Sequence, residues 1–94
     1  MIARRWIIRG GVQGVGYRDW MVRAASRLGV RGWVRNRTDG IVEALVAGEA
    51  EAVAELLRLC HRGPPLAAVS AIEEEAADTP AEPGFRVAAT AGLA

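Results

Sequence analysis

The run Gly10-Gly11-Val12-Gln13-Gly14-Val15-Gly16-Tyr17-Arg18 separates an alternating apolar stretch from one with helical spacing, and it limits what the chain can become. It holds too many glycines to extend either neighbour, because glycine loses the most conformational freedom in regular structure and is used where backbone must turn or approach closely. A strand must therefore pass to a helix through a loop whose backbone meets something at short range. On the strand side, residues 4–11 place Trp6 and Ile8 on one face and Ile7 on the other, with arginines at the margins. On the helix side, from Asp19 to about Leu28, Trp20 or Met21, Ala24, Ala25 and Leu28 recur every three to four residues. Asp19 favours the helix start and Gly29 its end.

The remaining pattern gives the fold class. Residues 30–37 alternate as a strand, Thr38-Asp39-Gly40 carries a hairpin signal, and residues 41–47 form the returning strand. From Glu49 to about Arg62, Val53, Leu56, Leu57 and Cys60 share one face; acids come early and Arg58, His61 and Arg62 late, as the helix dipole favours, until Gly63-Pro64-Pro65 stops the helix. A fourth strand is expected within 67–77 and a short last one around Phe85 to Ala89, beyond a turn-rich segment at 78–84. The order β-α-β-β-α-β indicates an α+β, ferredoxin-like α/β sandwich: an antiparallel sheet with two helices on one face. That architecture serves many unrelated functions, so the loop and hairpin must decide the chemistry.

Ninety-four residues suffice for a single domain, 1–94, with one core. A hydrophobic fraction of 51% with 24% charged residues suits a globular chain, and no apolar run reaches membrane-spanning length. The N-terminus shows no signal-peptide pattern, so a cytoplasmic location is expected. The lone Cys60 can form no internal disulfide, nor a zinc site with the one His61, which suits a reducing compartment. Charge is uneven: residues 1–40 hold nine arginines and two acids, a net of +7, against −6 for the remainder. This marks either an anion-binding half or charges that folding interleaves with those of the other half.

Within the loop, Gly14 and Gly16 let successive N–H groups converge on one point, as suits an anion. The helix start adds partial positive charge, and Arg18 offers a bidentate fork to two phosphoryl oxygens. The arrangement needs no metal. Its spacing, G-x-x-G-x-G, is not the dinucleotide fingerprint, and without a Gly-Lys-Ser/Thr ending it is not a nucleotide P-loop.

Val12-Gln13-Gly14-Val15-Gly16-Tyr17-Arg18, then Gly32-Trp33-Val34-Arg35-Asn36 and Asp39-Gly40-Ile41-Val42-Glu43, closely resembles the acylphosphatase family. The resemblance spans nearly the whole chain, including Gly63-Pro64-Pro65 and Phe85-Arg86-Val87. It implies a metal-independent hydrolase, without cofactor, that splits carboxyl-phosphate anhydrides into a carboxylate and inorganic phosphate. It also implies Arg18 as the grip on the phosphoryl group, Asn36 as the residue that positions the attacking water, and backbone amides from Gln13 through Gly14, Val15, Gly16 and Tyr17 to Arg18 as the phosphate cradle. The physics agrees: a carboxylate leaves readily, so holding the phosphoryl group and aiming a water in line are the main tasks. Two positions depart from the family pattern, Gly11 where a basic residue is common and Tyr17 where Phe is usual. The Tyr17 hydroxyl therefore needs a partner or solvent.

Other residues invite plainer readings. Cys60 and His61 fit core packing and a helix C-terminus. Glu73-Glu74-Glu75 fits a solvated edge strand, Trp20 and Trp33 fit packing, and Asp19 fits an outward position in the first helical turn. An RNA-binding module is disfavoured because the third strand has no aromatic residue. A copper carrier would need a Cys-x-x-Cys pair. The remaining alternative is a non-catalytic phosphate or carbamoyl-phosphate binding or regulatory module. Arg18 together with Asn36, and a chain ending at Ala94, point instead to a free-standing, monomeric hydrolase acting on small acyl phosphates, with no nucleic-acid or membrane partner.

Overall fold

In the computed structural model, which describes residues 1–92, the strand expected at 4–11 begins two residues earlier, and β1 runs Ile2–Gly11. Its alternation sets the two faces of a sheet. Trp6 and Ile8 are fully buried in the core, while Arg5 and Arg9 take the opposite face and meet carboxylates there. The other elements follow as α1 (Tyr17–Leu28), β2 (Arg31–Asn36), β3 (Val42–Gly48), α2 (Ala50–Arg62), β4 (Ala68–Ala76) and β5 (Phe85–Val87).

The sheet order is β4-β1-β3-β2-β5. The first four strands are antiparallel neighbours, as expected. The short last strand is the exception: β5 lies parallel to β2, so the complete five-stranded sheet is mixed. The reason is where the chain must cross. β4 ends beside the start of β1, with Arg4 opposite Ala76, and the segment 77–84 carries the chain past that end of the sheet to the far edge. There Gly32 N–H donates to the Gly84 carbonyl at 3.0 Å, and β5 sets off in the direction of β2.

Both helices cover the face that holds Trp6, Ile8, Val34, Val42, Ala44 and Val46. From α1 the buried residues are Tyr17, Met21, Ala24 and Ala25; from α2 they are Val53, Leu56 and Cys60. Of the two aromatic or sulfur alternatives in α1, Met21 is in the core and Trp20 packs at its edge, its ring 5.4 Å from that of Tyr17. Burying these side chains stabilises by about 1.5–3 kcal/mol for each large one.

The other face is polar and ion-paired. Glu43, almost fully buried, accepts from Arg5 at 3.2 Å and from Arg35 at 2.8 Å. The Arg35 guanidinium also lies 4.6 Å from the Trp33 ring centre. On the edge strand β4, Glu73 and Glu75 pair with Arg9 and Arg5 at 2.8 and 2.9 Å. Glu74 does more than the solvated reading expects, since its carboxylate accepts from the buried Trp6 indole N–H at 2.8 Å.

Candidate active site

The loop between β1 and α1 is anchored by Val12, which is buried, and by Val15, which packs against the core. Gly14 and Gly16 both adopt left-handed conformations, with φ of 73° and 78°. A side chain at such a φ costs roughly 1–2 kcal/mol. A Cβ at either position would touch nothing within 4 Å, so conformation and not crowding calls for glycine there.

Gly16 serves as N-cap of α1, and no side chain caps the helix. The first N–H groups of a helix have no intrahelical partner. Here Trp20 N–H is the first to turn back, to the Gly16 carbonyl at 3.1 Å, which leaves the amides of Tyr17, Arg18 and Asp19 available at the positive end of the helix dipole. The helix therefore starts two residues before the aspartate expected to open it, because a glycine and not an acidic side chain shapes its beginning.

Across from this helix start stands the end of β2. Asn36 lies on the helix-covered face, opposite Val42 in β3. Its strand end is fixed from both sides: Ala91 N–H donates to the Asn36 carbonyl at 3.0 Å, and Arg37 N–H donates to the Ile41 carbonyl at 2.8 Å. Asp39 steadies the adjoining turn through Arg37 at 2.7 Å and through Ile41 N–H at 3.3 Å.

Between the two elements lies a recess of about 70 Å³ lined by Val12, Gly14, Gly16, Tyr17, Arg18, Asp19 and Asn36. A single water needs only about 10–15 Å³ by the same kind of measure, so a small tetrahedral anion with a water beside it is a fitting occupant. Among the described residues, Arg18 has no carboxylate within ion-pair distance, and the buried side-chain oxygen of Asn36 has no hydrogen-bond partner. A guanidinium without a counter-charge and an acceptor without a donor thus share one concavity.

Of the residues singled out in the sequence, Gly14, Gly16, Tyr17, Arg18 and Asn36 come together at the recess, while Gln13 and Val15 are not among those lining it. The Gln13 side chain turns instead to the β2–β3 turn, where its amide donates to the carbonyls of Arg37 at 2.8 Å and Ile41 at 2.9 Å. Tyr17 borders the recess; the residue is buried, and its hydroxyl donates to the Cys60 carbonyl at 2.6 Å. Asp19 is exposed in the first helical turn, as expected, yet it also borders the recess, which the sequence reading did not anticipate. Cys60 is core, with burial pushing its thiol up to about 12, and His61 is exposed. Among the described residues, no group of three His, Cys, Asp or Glu side chains is arranged to hold a metal ion.

The acylphosphatase family model matches residues 4–87. The chain belongs to the acylphosphatase family. It is 64% identical over 90 residues to an acylphosphatase of Acidiphilium cryptum, an alignment covering 96% of this chain and 99% of that one. The crystal structure of acylphosphatase from Bacillus subtilis superposes with a TM-score of 0.88 at 31% identity, covering 94% of this chain and 99% of that one. An acylphosphatase structure from Coxiella burnetii gives the same TM-score at 33% identity, covering 93% of this chain and 92% of that one. Family, fold and near-complete coverage together make this chain an enzyme of acyl phosphate hydrolysis.

Proposed function

We propose that this acylphosphatase holds the phosphoryl group of its substrate with Arg18 and the amides of the loop from Gln13 to Arg18, and that Asn36 aims the attacking water. The observation that carries this reading is the meeting at one recess of Arg18 and the Asn36 side-chain oxygen, neither with a partner among the described residues, and the uncapped start of α1. The dianionic end of the substrate enters the positive end of α1, and the guanidinium grips two of its oxygens. A water that donates to the Asn36 side-chain oxygen attacks phosphorus opposite the acyl oxygen. The P–O bond to the acyl group breaks, a carboxylate departs with the bonding pair, and orthophosphate carries the water's oxygen. Because the leaving group is a weak base, no side chain need titrate, and catalysis consists of positioning and charge stabilisation. Neither step calls on a metal or cofactor.

The decisive experiment follows release of phosphate and benzoate from benzoyl phosphate, with and without EDTA. We expect rapid, EDTA-resistant release by the wild type. In Asn36→Ala it should fall by about 10²- to 10³-fold, and further in Arg18→Ala, which also removes binding charge. Phosphate binding that needs Arg18, with no hydrolysis by folded wild type, would instead describe a sensor or carrier.

The same reading extends to the whole protein. The recess recognises the phosphoryl end that all acyl phosphates share, so broad acceptance of the acyl part is expected. One domain accounts for the described residues, whose radius of gyration of 11.9 Å is close to the roughly 12 Å expected of a single compact unit this size. A monomer fits a surface whose exposed large apolar side chains, among the described residues, are the scattered Met1, Leu66 and Val87. Sedimentation equilibrium tests it. A cytoplasmic setting fits the buried, unpaired Cys60; among the described residues, no helix is long and apolar enough to cross a membrane. Cell fractionation tests the location.

A further inference from the structure

We infer that the Gln13 side chain is a positioning residue that sets the distance between the phosphate cradle and Asn36, a role that rests on the reading of the site given above. Its amide nitrogen donates to two carbonyls, Arg37 at 2.8 Å and Ile41 at 2.9 Å. Those carbonyls already close the β2–β3 turn, since the Arg37 oxygen accepts from Gly40 N–H at 3.1 Å and the Ile41 oxygen from Arg37 N–H at 2.8 Å. A carbonyl has two lone pairs, and here one goes to the turn and the other to Gln13. Gln13 belongs to the loop that supplies the cradle; Arg37 and Ile41 adjoin the cross-strand pair Asn36 and Val42. The two N–H bonds of one side chain therefore tie the binding half of the site to the water-positioning half.

The chemistry of the tie is demanding. It needs an uncharged group that donates twice, on a stem of two methylenes. Asn is one carbon short, ionised Glu donates nothing, and Lys or Arg would bring a further charge beside the cradle. Because in-line attack tolerates little displacement, with about 1 Å of misplacement costing up to 10²-fold, the tie acts on turnover more than on binding.

The test compares wild type, Gln13→Met and Gln13→Glu, measuring kcat on benzoyl phosphate and the inhibition constant of inorganic phosphate, which reads the cradle alone. For Gln13→Met we expect kcat to fall about tenfold to a hundredfold, with the phosphate constant unchanged within about threefold, since Arg18 and the loop amides remain. Gln13→Glu supplies a signature that loss of packing would not give. Ionised, its carboxylate faces two carbonyl oxygens; protonated, it donates one hydrogen bond. Its kcat relative to wild type should therefore climb at least about fivefold as pH falls from about 8 to about 5. Unchanged kcat in Gln13→Met, a phosphate constant that worsens in step with kcat, or a flat pH ratio in Gln13→Glu would each overturn the inference. If wild type hydrolysed nothing, the reading of the site would fail separately. The tie would then be judged by hydrogen exchange of the Arg37 and Gly40 amides, expected to quicken about tenfold in Gln13→Met at equal global stability and overturned by equal rates.

Discussion

At Tyr17, one hydroxyl resolves a problem set forty-odd residues away. In the helical ladder the Cys60 carbonyl would accept from the N–H of residue 64, but that residue is Pro64 and has none. The preceding carbonyl, of Leu59, is satisfied by Gly63 N–H at 2.9 Å, so Cys60 is where the ladder runs out. The buried Tyr17 hydroxyl donates to it at 2.6 Å. Room for the ring depends on Gly63, where a Cβ would come within 2.7 Å of Tyr17 Cε2. The departure from the Phe usual in the family therefore caps the end of α2. Tyr17→Phe leaves a buried acceptor without a donor and should cost about 1–3 kcal/mol. Urea unfolding should show a lower midpoint at constant slope, and an unmoved midpoint would mean that the carbonyl finds another donor. Tyr17 and Pro64 were each visible in the sequence, but their complementarity was not, because it arises only when α1 is laid against α2.

Among the elements, the entry into α1 shows most clearly how local sequence and function meet. A left-handed glycine N-cap leaves the helix start bare, whereas Ser, Thr, Asp or Asn at that position would spend its side chain on the same amides. Gly16→Ala keeps the cap free of polar atoms but forces an L-residue to φ near 78°, so it should lose about 1–2 kcal/mol of stability. It should also weaken phosphate inhibition, as the loop relaxes away from its anion-binding shape. Full phosphate affinity in a destabilised Gly16→Ala protein would separate the cradle from this turn. The glycine loop, both helices and the hairpin were legible in the sequence because each declares itself within ten or so neighbouring residues. The partner and direction of β5 were not, since three residues cannot encode where a crossing segment delivers them. Asn36 pointed to the site only through the family resemblance; on its own it is an ordinary polar residue at a strand end. For Gln13 the resemblance implies a backbone donor, and nothing in its spacing tells where its side chain goes.

For the molecule as a whole, the uneven charge resolves in part by interleaving. Arg5 and Arg9 of the basic half meet Glu75 and Glu73 of the acidic half across β1 and β4, and Arg35 joins Arg5 on Glu43. The exposed pairs of Arg5 with Glu75 and Arg9 with Glu73 contribute only about 0–1 kcal/mol each, and none of these carboxylates reaches Arg18, which among the described residues has no partner within ion-pair distance. Titration of the core acts on the whole fold as well. Burial pushes the Cys60 thiol from an ordinary value near 9 up to about 12, and burial likewise holds the Tyr17 hydroxyl neutral well beyond the usual phenol range. Below about pH 8 both groups are neutral whether the chain is folded or not, so stability there is independent of them. Above about pH 9 for the thiol, and about pH 10 for the phenol, the unfolded chain ionises while the folded one does not, and stability drains by up to about 1.4 kcal/mol per pH unit for each group. Urea midpoints should therefore stay level from pH 7 to about 8.5 and then descend toward pH 11. Cys60→Ala, although less stable at neutral pH through its small cavity, should show a shallower descent. Parallel descents in the two proteins would mean that the thiol ionises inside the fold as readily as outside it, and that α2 does not seal Cys60 from water.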